Sequence, residues 1–293
     1  WFRKVDCNNL DEVSKMSKVF IVGNGESRKK VDLMQLNMMG KVYGCNALYR
    51  DYTPDVLIVV DGGMQHEVYT SGYPLKNKCY FRSWTRLPGI MFDTIVGSTE
   101  FEHEGWTIFN KREDKNSFVF NGTDPNQMKR QHDHYTSMGY DQKTIDELLS
   151  KHHRWITWCE EYGDDEVYLI SEEYSGWSAG PIAVRTAISN ENPTDIFLIG
   201  FDMGSSDGKV NNMYKDTDNY LSKDAAVTPD TNWIQQHRQN FIDYPHVRFW
   251  KVNPAPLGTD DTCKFIEEWK DIENLQYIEL KNLNLSVDFG WMM

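Results

Sequence analysis

Between residues 19 and 63 the chain holds three apolar runs, and each stops at a polar residue. Val19-Phe20-Ile21-Val22 is uninterrupted, as a parallel strand buried on both faces requires, and Gly23-Asn24-Gly25 ends it abruptly. Lys41 to Cys45 runs into Asn46, and Asp55 to Val60 runs into Asp61-Gly62-Gly63. With helical segments between the runs, the repeating order strand, turn, helix predicts an α/β fold of the Rossmann-like kind, a mostly parallel sheet flanked by helices. In open sheets of this type ligands bind outside the carboxyl ends of the strands. Asn24, Asn46 and Asp61 are therefore expected to share one crevice. The competing reading of each residue alone is a turn or helix cap, a place Asn and Asp favour.

The first turn predicts an anion site made by Gly23, Asn24, Gly25 and Ser27. Glycine permits positive φ and close approach of a ligand to the main chain. Glu26-Ser27 opens a helical segment whose free N–H groups and dipole favour phosphate. The pattern is not the dinucleotide G-x-G-x-x-G, because Arg28 occupies the third glycine position, and it lacks the P-loop Lys-Ser/Thr pair.

A chain of 293 residues has room for a whole enzyme core. Its formal charge of -13 comes with no Lys/Arg block, which argues against a duplex-binding surface and leaves only a local basic groove open. Five cysteines without C-x-x-C spacing argue against a disulfide framework and for a reducing, cytoplasmic setting. No apolar run reaches membrane-span length, and Trp1 to Asp6 do not read as a signal peptide.

No repeat or linker divides the chain, so residues 1–293 are read as a single domain with an insertion over about 79–165. Within the insertion, Cys79 to Trp84 reads as strand and Asp141 to Tyr162 as helix, its apolar residues recurring at three and four. A second ordered block spans residues 174 to 204. Ser178-Ala179-Gly180-Pro181 opens a small-residue helix through Ile188, and Ile196 to Ile199 is another buried strand ending at Gly200-Phe201-Asp202. Ala179, Ala183 and Ala187 recur every fourth residue, a spacing that favours close helix packing over ligand contact. Residues 204–230 are polar, rich in Gly, Asn and Asp, and too long for an ordinary connection, so they are read as a lid or a disordered loop. A helix over 231–242, a strand over 247–252 and an amphipathic helix over 263–274 complete the chain.

The motifs V-G-N-G-E-S at 22–27, G-C-N-A-L-Y at 44–49, S-G at 175–176 before the Ala-rich helix, and I-F-L-I-G-F-D at 196–202 resemble, in content and order, the bacterial family 42 sialyltransferases. They also resemble a wider group with the 6-hydroxymethylpterin pyrophosphokinases and flagellin-glycosylation accessory proteins. The blocks cover roughly half the chain. The resemblance implies a Rossmann-like glycosyltransferase that uses a nucleotide-activated sugar without a metal or other cofactor. It places the nucleotide on Gly23, Asn24, Gly25, Asn46, Ser175 and Gly176, with Gly200 and Asp202 at the fourth strand end. Where the family has a further Asn, this chain has Asp61, which accepts from a ribose hydroxyl or base amine but repels phosphate. The family's phosphate-holding Tyr corresponds to Gly204, so Tyr214 and Tyr220 are substitutes. Its His base aligns near Pro229-Asp230, leaving Asp230, or His237 further along, to deprotonate an acceptor.

Other patterns weigh less. Asp216-Thr217-Asp218 has the form of a metal- and diphosphate-holding D-x-D, but in so acidic a chain it reads better as solvated loop. His132-Asp133-His134 and His152-His153 lack zinc spacing, so no metal site is assigned. The abundant Trp and Tyr serve sugar stacking or plain packing. The expected function is transfer of a sugar from a nucleotide donor to a hydroxyl of a glycan, protein or modified nucleic-acid base. The alternatives are a magnesium-dependent pyrophosphokinase-like enzyme, for which Asp61, Asp202, Asp216 and Asp218 become ligands, and a non-catalytic nucleotide-fold protein.

Overall fold

The computed structural model describes residues 17–283 apart from 83, 88–105, 112–116, 123–124, 152–153 and 161–165. In chain order the strands are β1 (Lys18–Val22), β2 (Lys41–Cys45), β3 (Val56–Val59), β4 (Cys79–Phe81), β5 (Trp84–Leu87), β6 (Trp106–Lys111), β7 (Ser117–Gly122), β8 (Arg154–Glu160), β9 (Val167–Leu169), β10 (Asp195–Ile199), β11 (Arg248–Asn253) and β12 (Leu275–Glu279). Eight of them form one sheet in the order β12-β11-β10-β1-β2-β3-β4-β9, and every neighbouring pair is parallel. This is the expected α/β architecture. The strand order reverses between β1 and β10, a switch point of the doubly wound kind.

Alternate side chains of the central strands enter opposite core layers, as the two-residue period of a strand dictates. Val19 and Ile21 of β1 pack with Ala183, Ala187 and Ile182 of the helix Ala179–Glu191. Phe20 and Val22 face the other way, toward Leu48, Met64 and Val68. Burial of each large apolar side chain contributes about 1.5–3 kcal/mol. The every-fourth alanines are packing residues. Beside them a Cβ on Gly180 would collide with the Phe201 ring.

Two expected helices need correction, and strand β12 is not expected. The helix expected over 141–162 runs only Gln142–Lys151, and Arg154–Glu160 is strand β8, because the Trp-Ile-Thr-Trp run pairs antiparallel with β7 and parallel with β5. These strands with β6 make a second, four-stranded sheet, which lies in the chain between β4 and β9 of the first; residues 79–81, expected at the start of the insertion, are strand β4 of the first sheet. The helix expected over 263–274 is instead turns around the 3-10 turn Glu267–Trp269, where Trp269 is buried and its indole N–H donates to the Ile234 carbonyl at 2.9 Å. Strand β12, which extends the sheet beyond β11, has no counterpart among the expected elements. The helix Thr231–Asp243 and strand β11 match expectation within a residue or so. Among the described residues no helix is long and apolar enough to cross a membrane.

Candidate functional site

The first turn is built as expected, but its anion site is already filled. Gly23 N–H donates to the Ile199 carbonyl (2.8 Å) and Gly25 N–H to that of Gly200 (2.9 Å), so β1 and β10 close on each other at the switch point. Gly200 sits at φ +72°, and a Cβ on Gly23 would lie 2.7 Å from its carbonyl oxygen. The segment after the turn, Glu26–Lys30, is a 3-10 helix. Its leading donors are taken. Glu26 N–H donates to Asn211 Oδ1 (2.8 Å), Ser27 N–H donates to Asp202 Oδ2 (3.1 Å), and the Ser27 hydroxyl donates to Asp202 Oδ1. The anion at this helix start is thus the chain's own buried Asp202 carboxylate. A Cβ on Gly25 would collide with that carboxylate at 2.6 Å, which is why the position is glycine. Sequence patterns show donors at a turn; they do not show which distant acceptor arrives.

The other strand ends do converge. Asn24 Nδ2 donates to the Cys45 carbonyl at 3.1 Å, tying the first turn to the end of β2. Asn46 takes the left-handed conformation, φ +47°, rare for a non-glycine residue but tolerated by Asn. Its amide bridges to the end of β3: Nδ2 donates to Asp61 Oδ2 (2.6 Å), and Oδ1 accepts from Val60 N–H (3.2 Å). Asp61 precedes the helix Gly62–Thr70, yet its carboxylate makes no capping bond there. Asp61 stands at the N-cap position of that helix, and its side chain turns to Asn46 instead of the helix N–H groups.

Three residues not singled out in the sequence analysis lie within electrostatic reach of this exposed carboxylate. Arg82, directly after β4, lies within its electrostatic reach; burial pulls the guanidinium pKa down while Asp61 supports the charge. Arg82 also donates to the Trp177 carbonyl, which links the crevice to the Ser175–Gly176 turn. Tyr135 and Tyr140, edge to face at 5.7 Å, have hydroxyls pushed up to about 12 by burial, with the Asp61 charge adding to the shift. The signal that could have found Arg82 is a cation at a fourth strand end. The tyrosines come from the insertion, where no local pattern points toward Asp61.

The lid is folded, not loose. Met213 N–H donates to the Asn24 carbonyl at 2.8 Å, and Tyr214 is buried where its hydroxyl meets Arg28 (2.8 Å) and Asp51 (2.7 Å). Tyr214 is therefore engaged in a structural network. Tyr220 enters the crevice itself, its hydroxyl accepting from Asn24 Nδ2 and from Ala47 N–H, each at 3.4 Å. Asp216 Oδ1 accepts from Lys223 N–H (2.9 Å), and the Asp218 carbonyl accepts from Arg50 (3.2 Å). The first is a contact within the lid, and the second ties the lid to the helix Asn46–Arg50. Among the described residues no three His, Cys, Asp or Glu side chains are grouped to hold a metal ion. His132 and Asp133 stand on the helix Pro125–Ser137, 3.6 Å apart, and His152-His153 lie outside the described residues.

The remaining expected residues fall elsewhere. Ser175 and Gly176 line a shallow groove of about 380 Å³ with Trp177, Asn232, Gln235 and Gln239. Gln236 fixes that turn, accepting from Ser178 N–H (2.8 Å) and donating to the Gly176 carbonyl (3.2 Å). Asp230 starts the helix Thr231–Asp243 and is paired with Lys264 at 3.1 Å. His237 is fully buried among Phe201, Phe241 and Trp269, neither ring nitrogen has a hydrogen-bond partner, and burial depresses its pKa to about 3. An enclosed imidazole of such low basicity is not placed to accept a substrate proton. Histidine has the right intrinsic pKa for a base, but residue type carries no information on enclosure.

No protein-family model matches the sequence, and no curated protein matches it. Among solved structures, the monofunctional alpha-2,3-sialyltransferase Cst-I from Campylobacter jejuni aligns with 83% of this chain and 78% of its own, at 13% identity and a TM-score of 0.38. An overlap that loose transfers no activity, so the case for function is carried by the geometry of the site alone.

Proposed function

We propose that the protein is a glycosyltransferase that binds a nucleotide-activated sugar over Asn46, Asp61 and Arg82 and moves the sugar to an acceptor hydroxyl. The observation that carries the reading is the meeting of an αL asparagine, an exposed carboxylate and an arginine at the carboxyl ends of adjacent parallel strands, with Tyr135 and Tyr140 within electrostatic reach of the carboxylate. Asp61 is suited to accept from ribose hydroxyls or a base amine, and tyrosine rings to stack on a base or sugar. Since Asp202 occupies the Ser27 N–H, the leaving phosphate is assigned to Arg82 and not to the first turn. In the transfer the acceptor oxygen bonds to the sugar carbon as the bond to phosphate oxygen breaks, the nucleotide leaves with that electron pair, and the acceptor hydroxyl's proton is released to solvent.

Isothermal titration with CMP-, UDP-, GDP- and ADP-sugars tests this, with and without EDTA. One donor is expected to bind, EDTA is expected to have no effect, and Asp61→Ala and Arg82→Ala should each weaken binding at least tenfold. Binding by none of the four overturns the proposal, and binding that requires magnesium turns it toward phosphoryl transfer.

A further inference from the structure

The lid residue Tyr220 occupies the crevice at the point where the first two turns meet. Its hydroxyl oxygen takes two donors: the Asn24 side-chain amide, which also holds the Cys45 carbonyl, and the backbone N–H of Ala47. Ala47 is the second residue of the short 3-10 helix Asn46–Arg50, where the leading N–H groups have no partner within the helix and must find one outside it. Both bonds to Tyr220 are 3.4 Å, at the weak end of the range. A phosphate or ribose oxygen offered to the same donors would make shorter, and for phosphate charge-assisted, bonds.

The ring is set in place by its neighbours. Tyr214 packs on it at 5.6 Å, and the Arg50 guanidinium lies 5.8 Å from its centroid. Arg50 also clamps the lid, donating to Thr217 Oγ1 (2.8 Å) and the Asp218 carbonyl, while Asn219, left-handed at φ +65°, donates to Glu67 (2.8 Å). These clamps are exposed or half-buried polar contacts, worth little individually against water. The closing segment is thus anchored at Met213 and Tyr214, while its tip at 217–219 is held by weak fastenings, with the Tyr220 hydroxyl inserted between donors.

We infer that Tyr220 is a plug: its hydroxyl stands in for a ligand oxygen at Asn24 and Ala47, holds the crevice shut, and must withdraw before a donor binds. The inference rests on the crevice being the donor site, but the plug itself has a readout that needs no ligand. Tyr220 is then a competitor of the donor and not one of its contacts. Removing the hydroxyl should make binding tighter.

The test compares the full chain with Tyr220→Phe and with Arg50→Ala, which loosens the clamp and removes the cation beside the ring but leaves the Tyr220 hydroxyl and its two donors in place. In hydrogen exchange without ligand, the Ala47 amide is expected to exchange about 3–10-fold faster in Tyr220→Phe, the worth of one weak hydrogen bond, with β1 and β10 amides unchanged. Donor titration should show about 3–10-fold tighter binding in Tyr220→Phe and faster association in Arg50→Ala. Unchanged Ala47 exchange, or weaker donor binding in Tyr220→Phe, overturns the plug. If no nucleotide sugar binds any variant, the proposed function falls, and the Ala47 exchange rate alone decides whether Tyr220 closes the crevice.

Discussion

His237 offers the sharpest test of the core packing. An imidazole with both nitrogens buried and unpartnered costs the folded state about 1–3 kcal/mol even when neutral. Protonation costs much more, because burial lowers its pKa from 6.5 to about 3. Between those values the unfolded chain binds the proton and the folded chain does not, so stability falls as pH drops below 6.5 and levels off below about 3. Each pH unit in that window is worth about 1.4 kcal/mol, so acidification from pH 6.5 to pH 5 removes about 2 kcal/mol through this one group. His237→Leu, close in volume, removes both terms. Urea unfolding of the two proteins at pH 7.5, 6, 5.5 and 5 isolates the effect, since the carboxylates titrating in the same range are common to both. The variant should gain about 1–2 kcal/mol at pH 7.5 after allowing for imperfect repacking. Its advantage should grow by about 1.4 kcal/mol per pH unit below 6.5. Parallel pH profiles would show that the ring keeps a hydrogen-bond partner or a path to water, and the reasoning from enclosure would be refuted.

Lys251 carries the same sign in the alkaline range: buried, with burial lowering its pKa from 10.5 to about 8, it should let stability rise between pH 8 and 10.5 by up to about 3 kcal/mol. Lys251→Met should abolish that rise in urea unfolding at pH 7.5, 8.5 and 9.5. Gly25→Ala forces a methyl against the Asp202 carboxylate and the Gly200 carbonyl, and should destabilise by about 2–4 kcal/mol in the same assay. Gly176→Ala, at φ +82° with open space around the new atom, should cost only about 1 kcal/mol. At Asn46, Gly should be tolerated better than Ala by about 1 kcal/mol because the left-handed conformation strains alanine; equal thermal stability of the two variants would contradict the αL assignment.

Where the hydrophobic pattern is continuous, sequence and structure agree to within a residue or so. The strands at Val19, Val56 and Ile196 are buried on both faces, and runs without polar interruption have few other ways to fold. The helix at 231 carries clear spacing and forms. Agreement fails where a segment's state depends on what it pairs with. Residues 154–160 sit next to a real helix and carry apolar residues that also suit helical spacing, but pairing with β7 makes them strand. Residues 275–279 alternate too weakly to announce a strand and become one by lying against β11.

The same division holds at the candidate site. Local sequence determined the strand ends and hence the convergence of Asn24, Asn46 and Asp61, because a parallel sheet with short turns puts successive carboxyl ends on one edge. Only the tertiary structure decided what those ends meet. Asp202 arrives from 175 residues away to fill the Ser27 donors, Tyr220 from 196 residues away to cover Asn24, and Arg82, Tyr135 and Tyr140 come within electrostatic reach of Asp61. Backbone donors and polar turn residues are fixed by local chemistry. Their partners are chosen by how distant segments pack, and that is also what buries His237 beyond use as a base while leaving Asp61 open.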